Sequence, residues 1–328
     1  MHKNKVTLLV VSLMTTMILL LTHFSLEQSS ALQTRAKAQE SSFTFNEFLI
    51  ETPHVTLPFH LIDGMPVIDG AVNGIEGKFL FDTGTHFPFF LNNNRLPLSK
   101  DTFLAQGTTA SGQELVLYLQ DQPIESVELA NQLRFEKLQS LPHTNWSFVE
   151  HGLVEGFLGT IGYGFNRNYM FVINYDVQTL DLYRLNQDRG ALASYLDSDR
   201  VVATLNFIPT NDEGNIPAVQ FTIGNAPILG VFDTGDHGTL TLTKRLKTRL
   251  EQQGYLITDH QDFLYGTYEP YVRASLKGLK YGDKSLVEIH NLRLEIGEEN
   301  RLMLGYQFLK NYVTAWNYQD QTIKLLMR

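Results

Sequence analysis

Short runs of alternating apolar and polar residues recur along the chain from about residue 55 and predict β-strands. Two of the clearest runs are Thr179–Tyr183 and Thr322–Leu326. The segments on either side of Asn73-Gly74 and of Gly224-Asn225 read as β-hairpins with two-residue turns. One segment, Thr243–Gln253, has the pattern of a helix. The hydrophobic pattern therefore predicts an all-β protein with one clear helix.

The pattern occurs twice, which indicates an internal repeat. Three residues of the first half recur in the second half at an offset of 151 residues, namely Pro66, Phe81 and His86 as Pro217, Phe232 and His237. Each half also closes on the same spacing, Phe165-x-x-Asn168-Tyr169 with Asn174-Tyr175, and Phe308-x-x-Asn311-Tyr312 with Asn317-Tyr318. We therefore predict two similar β units in tandem, residues 55–185 and 200–328, separated by the polar stretch 186–200.

The N-terminus has the composition of an export signal. Lys3 and Lys5 precede an apolar segment, residues 6–21, and small-residue sites that could be cleaved lie near residues 29–31 and 36–38. Those sites are far from the apolar segment, so both cleavage and retention as a membrane tether through residues 6–21 stay open. In either case we assign residues 1–38 to signal or anchor and linker, and expect a periplasmic, secreted or envelope-anchored protein.

Composition narrows the range of chemistry. The 328 residues are 43% hydrophobic, enough for substantial folded cores, and include no cysteine. A disulfide, a thiol nucleophile and a thiolate metal site are therefore excluded. The net charge of −9 argues against nucleic acid as a partner.

Two tripeptides carry the candidate chemistry. Asp82-Thr83-Gly84 and Asp233-Thr234-Gly235 each follow an apolar stretch, and they occupy equivalent positions of the repeat. A single Asp-Thr-Gly is compatible with an ordinary turn. Two copies in register instead indicate a matched pair of carboxylates, which is suited to acid/base catalysis.

These motifs resemble those of the aspartic endopeptidases of the pepsin and retropepsin superfamily, and the tandem arrangement is most similar to bacterial retropepsin-like proteins. The resemblance implies two retropepsin-like β-barrel units that form a pepsin-like bilobal pseudo-dimer. It also implies a polypeptide substrate, hydrolysed by a water activated between Asp82 and Asp233, with no cofactor and no metal. Two carboxylates that close cannot both ionise, so they hold one proton between them.

The resemblance also assigns supporting roles. The hydroxyls of Thr83 and Thr234 are expected to bond to the opposite loop, and Gly84 and Gly235 to allow close approach of the two loops. Thr85 is suited to hydrogen-bonding the carboxylate of its own loop. We expect glycines from the apolar-apolar-Gly sequences, Phe157-Leu158-Gly159 and Met303-Leu304-Gly305, to pack behind the aspartates. A monomer is favoured over a homodimer in which each unit pairs with its copy.

Two departures from the family pattern leave a second function open. Asp236 stands where Thr85 stands in the first unit, and it either adds a third charge to the dyad or points to solvent. His86 and His237 follow, and they are either substrate contacts that change charge near pH 6 or polar loop residues. The alternative function is a catalytically inactive peptide-binding module with the same fold.

Two further features stay open at this level. Residues 106–112 and 265–271 contain glycine and lie where family members carry a flap over the cleft, although either could be a surface loop. Two histidines with two aspartates could also be read as a metal site, but nothing in their spacing fixes a ligand geometry.

Overall fold

β-strands make up most of the regular structure of the computed structural model, which describes residues 48–109, 113–185, 199–209, 215–263 and 270–328. All of these residues belong to one compact unit that begins after residue 46. The predicted export segment, most of the predicted boundary 186–200, and residues 110–112 and 265–269 of the two predicted flaps lie outside the described ranges.

The strands fall into two lobes joined by a third sheet. Strand β1 (His54–Pro58) belongs to the joining sheet, and the next ten strands form the sheet of the first lobe: β2 (His60–Ile62), β3 (Met65–Val72), β4 (Ile75–Phe81), β5 (Phe89–Asn92), β6 (Thr102–Thr108), β7 (Glu114–Leu119), β8 (Ile124–Leu129), β9 (Leu133–Leu138), β10 (Pro142–Thr144) and β11 (Phe157–Ile161). The chain then returns to the joining sheet through β12 (Tyr169–Asn174), β13 (Thr179–Arg184) and β14 (Val201–Asn206).

The second lobe repeats this layout. Its sheet also has ten strands: β15 (Ile208–Pro209), β16 (Pro217–Ile223), β17 (Ala226–Phe232), β18 (Thr239–Leu242), β19 (Leu256–Phe263), β20 (Pro270–Leu276), β21 (Leu279–Tyr281), β22 (Lys284–Ser285), β23 (Ile289–Ile296) and β24 (Arg301–Leu304). Strands β25 (Val313–Asn317) and β26 (Thr322–Leu326) complete the joining sheet. The helices are α1 (Ser147–Gly152), α2 (Tyr163–Asn166), α3 (Lys244–Gln252) and α4 (Tyr306–Leu309).

The two large sheets have the same strand order. The first runs β6-β7-β10-β5-β11-β4-β3-β8-β9, with β2 paired to β3. The second runs β19-β20-β23-β18-β24-β17-β16-β21-β22, with β15 paired to β16. The parallel pairs also correspond, since β4 lies parallel to β11 and β17 parallel to β24. The predicted all-β fold with two similar lobes is therefore confirmed.

Local sequence signals explain how the strands and the long helix are delimited. Val72 pairs with Ile75 around the predicted turn at Asn73-Gly74, and Ile223 pairs with Ala226 around Gly224-Asn225, so both hairpins are confirmed. Both residues of the first turn have positive φ, as a type I′ turn requires.

Helix α3 is also confirmed, with the ends that its sequence suggests. The hydroxyl of Thr243, its N-cap, accepts a hydrogen bond from the Leu246 N–H at 3.3 Å. Gly254, just past its C-terminal end, has φ +74°. Leu246 and Leu250 are buried and attach this amphipathic helix to the lobe. In the described part of the chain, no helix is both long and apolar enough to cross a membrane.

The joining sheet has the order β1-β13-β12-β25-β26-β14, with three strands from each half of the chain. At its centre β12 pairs with β25 in a self-complementary register: Met170 lies opposite Asn317, Asn174 opposite Val313, and Val172 opposite Ala315 midway. An axis of approximate two-fold symmetry therefore passes through the Val172–Ala315 pair.

The core of the joining sheet is aromatic. Trp316 is fully buried, and its ring stacks on Phe171 at 5.3 Å and meets Phe232 edge-on at 5.7 Å. Phe232 is the last residue of β17, immediately before Asp233. This cluster therefore anchors one of the two candidate catalytic loops to the joining sheet.

Candidate active site

The two aspartates follow equivalent strand ends. Asp82 comes directly after β4, and its N–H donates to the Ile161 carbonyl of the parallel strand β11 at 2.9 Å. Asp233 comes directly after β17, and its N–H donates to the Leu304 carbonyl of β24 at 3.5 Å. The repeated strand order therefore delivers both carboxylates to the interface between the lobes.

Two buried threonines clasp the aspartate loops together. The Thr83 N–H donates to the Thr234 hydroxyl oxygen and the Thr234 N–H to the Thr83 hydroxyl oxygen, each at 3.0 Å. The Thr234 hydroxyl in turn donates to the Phe81 carbonyl at 2.8 Å. Both threonine side chains are fully buried. Because these polar groups satisfy one another across the interface, neither loop can move away without leaving buried donors unpaired.

The two carboxylates share one donor. The Gly84 N–H lies 2.8 Å from Oδ1 of Asp82 and 3.2 Å from Oδ1 of Asp233. A Cβ atom on Gly84 would lie 2.4 Å from Oδ2 of Asp233, and one on Gly235 would lie 2.6 Å from the carboxylate of Asp82. Any side chain at either glycine would therefore force the carboxylates apart.

The hydrogen bonds to the two carboxylates differ. Besides Gly84, Asp82 accepts from the Thr85 N–H at 3.2 Å and from the Thr85 hydroxyl at 2.7 Å. Asp233 accepts from the Gly235 N–H at 2.8 Å, and the described residues give it no hydroxyl donor. Donors to the ionised form favour it. Asp82 thus accepts three hydrogen bonds and Asp233 two, and only those of Asp82 include a hydroxyl donor among the described residues.

Asp236 is held by its own loop. Its Oδ1 accepts from the Gly238 N–H at 2.6 Å and lies 3.5 Å from the Thr239 hydroxyl. The residue is only partly exposed. The carboxylate therefore neither replaces the Thr85 hydroxyl nor points freely into solvent.

Burial and neighbouring charge affect Asp233 most. Burial raises the pKa of Asp233 well above its ordinary value, and the charges of Asp82 and then Asp236 raise it further. Burial also raises the pKa of Asp236, opposed by the Gly238 N–H and the charges of His237 and Arg293. A proton shared by the dyad is therefore favoured on Asp233.

The histidines occupy equivalent backbone positions in different surroundings. The side-chain nitrogen of Gln307 donates to Nε2 of His237 at 2.5 Å, and Nδ1 of that ring lies 3.3 Å from the Asp63 carbonyl of the other lobe. At the position equivalent to Gln307 the first lobe has Gly164, whose N–H donates to the His86 carbonyl at 3.0 Å. His237 is thus tied across the lobes. Contact of either histidine with substrate stays a prediction.

The sequence-based prediction that Gly159 is the counterpart of Gly305 is wrong. A Cβ on Gly162 would lie 2.3 Å from the Thr85 carbonyl oxygen, and one on Gly305 would lie 2.0 Å from the Asp236 carbonyl oxygen. Since Thr85 and Asp236 each follow an Asp-Thr-Gly, the counterpart of Gly305 is Gly162. Gly159 instead packs against β5.

The strand register gives the reason for the error. Ile161 lies opposite Phe81 in the first parallel pair, as Leu304 lies opposite Phe232 in the second. The match to Met303-Leu304-Gly305 is therefore Thr160-Ile161-Gly162, in which a threonine interrupts the apolar pattern. The Thr160 hydroxyl donates to the Thr85 hydroxyl oxygen at 3.1 Å, so this threonine supports the Asp82 carboxylate indirectly.

Four tyrosines around the dyad were not identified as site residues from the sequence. Tyr163 of α2 meets Tyr318 at 5.0 Å, and Tyr306 of α4 meets Tyr175 at 5.5 Å, so each pair joins the two halves of the chain. Burial raises the pKa of Tyr175 and Tyr318, and the charge of Asp233 adds to both shifts. Two of these tyrosines, Tyr175 and Tyr318, belong to the repeated Asn-Tyr sequences, and that repeat is the feature of the sequence that could have identified them.

Asn215 is a second residue that the sequence did not indicate. It is fully buried, and its side-chain amide donates to the Gly84 carbonyl at 2.6 Å. The Tyr318 hydroxyl donates to the Asn215 backbone carbonyl at 3.3 Å. The offset of 151 residues places Gly64 at the equivalent position, so the repeat carried no signal for this asparagine.

No protein-family model matches the chain, and neither does any curated protein. Among solved structures, basic 7S globulin from soybean is similar, with 9% sequence identity, 83% of this chain and 94% of that chain covered, and a TM-score of 0.48. A likeness this weak supports no conclusion about function. In the described part of the chain, no group of three or more histidine, aspartate or glutamate side chains could hold a metal ion.

The threonine clasp predicts a selective loss of stability. Thr83→Val or Thr234→Val leaves a buried N–H without its acceptor, so each should lower the free energy of unfolding by about 1–3 kcal/mol. Thr83→Ser and Thr234→Ser keep the acceptor oxygen and are the matched controls. Urea denaturation measures all four, and valine variants no less stable than the serine variants would contradict the clasp.

The raised pKa of Asp233 predicts that removing its charge stabilises the fold to an extent that depends on pH. A carboxyl whose pKa is higher in the folded than in the unfolded state contributes stability at low pH and loses it as pH rises through the folded-state pKa. Asp233→Asn should therefore stabilise the fold relative to wild type more at pH 7 than near pH 4, as measured by chemical denaturation. Asp283→Asn, on an exposed turn, controls for net charge. An equal effect of Asp233→Asn at both pH values would refute the shift.

Proposed function

We propose that this protein is an aspartic endopeptidase with Asp82 and Asp233 as its catalytic pair. The observation that carries the proposal is the shared Gly84 N–H, which lies within hydrogen-bond distance of both carboxylates. Two carboxyl groups from equivalent loops, held by glycines that no side chain could replace, are suited to hold one proton and one water between them.

The hydrogen bonds assign a direction to the chemistry. Asp82, with its three donors, takes a proton from the bound water as that water attacks the scissile carbonyl carbon. Asp233 gives its proton to the carbonyl oxygen, which forms a neutral tetrahedral diol. Collapse of the diol transfers a proton to the departing amine and returns one proton to the pair. Because both groups belong to a coupled pair, pH profiles report the pair rather than either residue.

The proposal extends to the setting of the enzyme. Both aspartates and both clasping threonines come from one chain, which supports an active monomer. The apolar segment 6–21 behind Lys3 and Lys5 supports export, with the catalytic lobes on the outer side of the membrane. The substrate class is polypeptide, and the proposed reaction uses no cofactor.

A peptide-binding module without catalytic activity is the second candidate. Asp233 has no hydroxyl donor among the described residues, and Asp236 adds a further negative charge beside it. If the negative charge of Asp236 keeps both carboxyls of the pair protonated, neither can accept a proton from the water.

Mutation of each aspartate separates the two candidates. We expect wild type to cleave an unfolded protein substrate between pH 3 and 7, and Asp82→Asn or Asp233→Asn to lower kcat by at least about a hundredfold. Asp283→Asn should cleave like wild type. Cleavage that persists in either dyad variant would refute a shared site, whereas binding without cleavage by every form would favour the module.

The position of Asp236 predicts a shift of the pH profile. Asp236→Asn removes a negative charge that raises the pKa of Asp233, so the coupled pair should lose its shared proton at lower pH. The alkaline limb of the kcat/KM profile should therefore move to lower pH, while Asp283→Asn leaves it in place. An unchanged limb would show that Asp236 has no effect on the dyad.

A further inference from the structure

Helix α4 holds the backbone that follows the second aspartate. The Tyr306 N–H donates to the Asp236 carbonyl and the Gln307 N–H donates to the His237 carbonyl, each at 2.9 Å. Asp236 and His237 come directly after the second Asp-Thr-Gly. The first turn of α4 therefore fixes the C-terminal side of the loop that carries Asp233.

The first lobe contacts the second at the same place. The Asp63 carbonyl, in the turn between β2 and β3, lies 3.3 Å from Nδ1 of His237. A Cβ atom on Gly64, the next residue of that turn, would lie 2.3 Å from the ring of Tyr306. The rings of His237 and Tyr306 are 5.9 Å apart. The His237 ring therefore lies between the turn of the first lobe and helix α4 of the second.

Lys310 determines the orientation of the Gln307 side-chain amide. The oxygen and nitrogen of such an amide are told apart by the groups around them. Nζ of Lys310 donates to Oε1 of Gln307 at 2.8 Å. A charged lysine has donors and no acceptor, so the amide atom that faces it must be the oxygen. Burial lowers the pKa of Lys310, and this orientation belongs to the pH range below that pKa.

The oriented amide determines which nitrogen of the His237 ring carries the hydrogen. The amide nitrogen of Gln307 is a donor and lies 2.5 Å from Nε2 of the ring. Two donors cannot bond to each other, so Nε2 must accept and the neutral ring carries its hydrogen on Nδ1. Nδ1 then donates to the Asp63 carbonyl, which can only accept. Lys310, Gln307 and His237 thus form a relay of directed hydrogen bonds that ends on the first lobe.

The same contacts oppose a second hydrogen on the ring. A hydrogen on Nε2 would face the amide donor of Gln307, and reversing that amide would turn its N–H groups toward Lys310. The Asp236 carboxylate instead attracts a positive charge on the ring. The other titratable residues that the ring approaches in the described part of the chain are Asp63, through its carbonyl, and Tyr306. The neutral ring therefore depends on the donor that Lys310 orients.

The first lobe cannot form this relay. Arg167 and Lys310 lie at matching positions of the repeat, each over the tyrosine at the start of its helix, at 5.3 and 5.1 Å from the ring centre. At the position of Gln307 the first lobe has Gly164, which has no side-chain amide. The relay therefore acts only on the side of the dyad that carries Asp233.

We propose that Gln307 and Lys310 are positioning residues that hold His237 in its Nδ1–H tautomer and thereby tie the first lobe to the loop of the second aspartate. They act through the His237 ring, and neither has to touch the substrate. The Nε2–H tautomer would place a lone pair of Nδ1 against the Asp63 carbonyl and break the tie. The effect on cleavage rests on the proposed function, whereas the tautomer does not.

The tautomer can be measured by NMR. In the full chain labelled with 15N-histidine, couplings to the ring hydrogens show which nitrogen is protonated, and His237→Gln assigns the signal. At slightly alkaline pH we expect Nδ1–H alone in wild type and in Lys310→Arg, which keeps the donors. Lys310→Met should lose this exclusive form and show Nε2–H. Gln307→Glu, whose carboxylate accepts, should also place a hydrogen on Nε2. Lys244→Met, on the exposed face of α3, should keep the wild-type signal.

Cleavage by the same variants distinguishes failure of the relay from failure of the proposed function. Lys310→Met should lower kcat on an unfolded protein substrate by about two- to tenfold, the value of one hydrogen bond, with little change in KM. Lys244→Met should cleave like wild type. The expected tautomers without cleavage by any form would support the relay and refute proteolysis. Nε2–H in wild type, or the wild-type tautomer in Lys310→Met, would overturn the relay. A changed tautomer with unchanged kcat would overturn its positioning role.

Discussion

The reciprocal hydrogen bonds between Thr83 and Thr234 are the constraint on which the rest of the site depends. They are made by side chains with no exposure to water, and they join two loops from different halves of the chain. The common position of the two carboxylates, the shared Gly84 donor and the need for glycine at residue 235 all follow once these loops are held in contact. The geometry of the carboxylate pair is thus a product of tertiary structure, specified in part by residues other than the two aspartates.

The near symmetry of this framework makes its exceptions informative. Among the described residues, Asp82 accepts a hydrogen bond from a hydroxyl and Asp233 does not, while Asp233 has Asp236 as a further carboxylate neighbour. Asn215 braces one loop from a position where the other half has only Gly64. Two of these exceptions act on the loop of Asp82 and one acts on Asp233, so the two aspartates are chemically distinct before any substrate binds.

Much of this arrangement could be predicted from the sequence because it is encoded locally and encoded twice. Turn residues such as Asn73-Gly74 and the N-cap Thr243 determine the local backbone conformation around them. The repeat identifies the two equivalent aspartates. Gly162 was missed because Thr160, which supports Thr85, interrupts an otherwise apolar sequence. The repeated Asn-Tyr sequences marked two of the tyrosines, but which tyrosines pair could not be inferred, since the pairs join segments far apart in the chain. Asn215 could not be inferred either, because the repeat does not share its position.

The register of the joining sheet affects which substitutions the centre of the molecule can accept. Val172 and Ala315 face each other on the approximate two-fold axis. In an assembly of two identical chains, a residue on the axis meets its own copy, so any enlargement there adds its volume twice at one point. Joining both halves in one chain removes that restriction. A larger side chain can face a smaller one, and the centre of the molecule can be repacked one residue at a time.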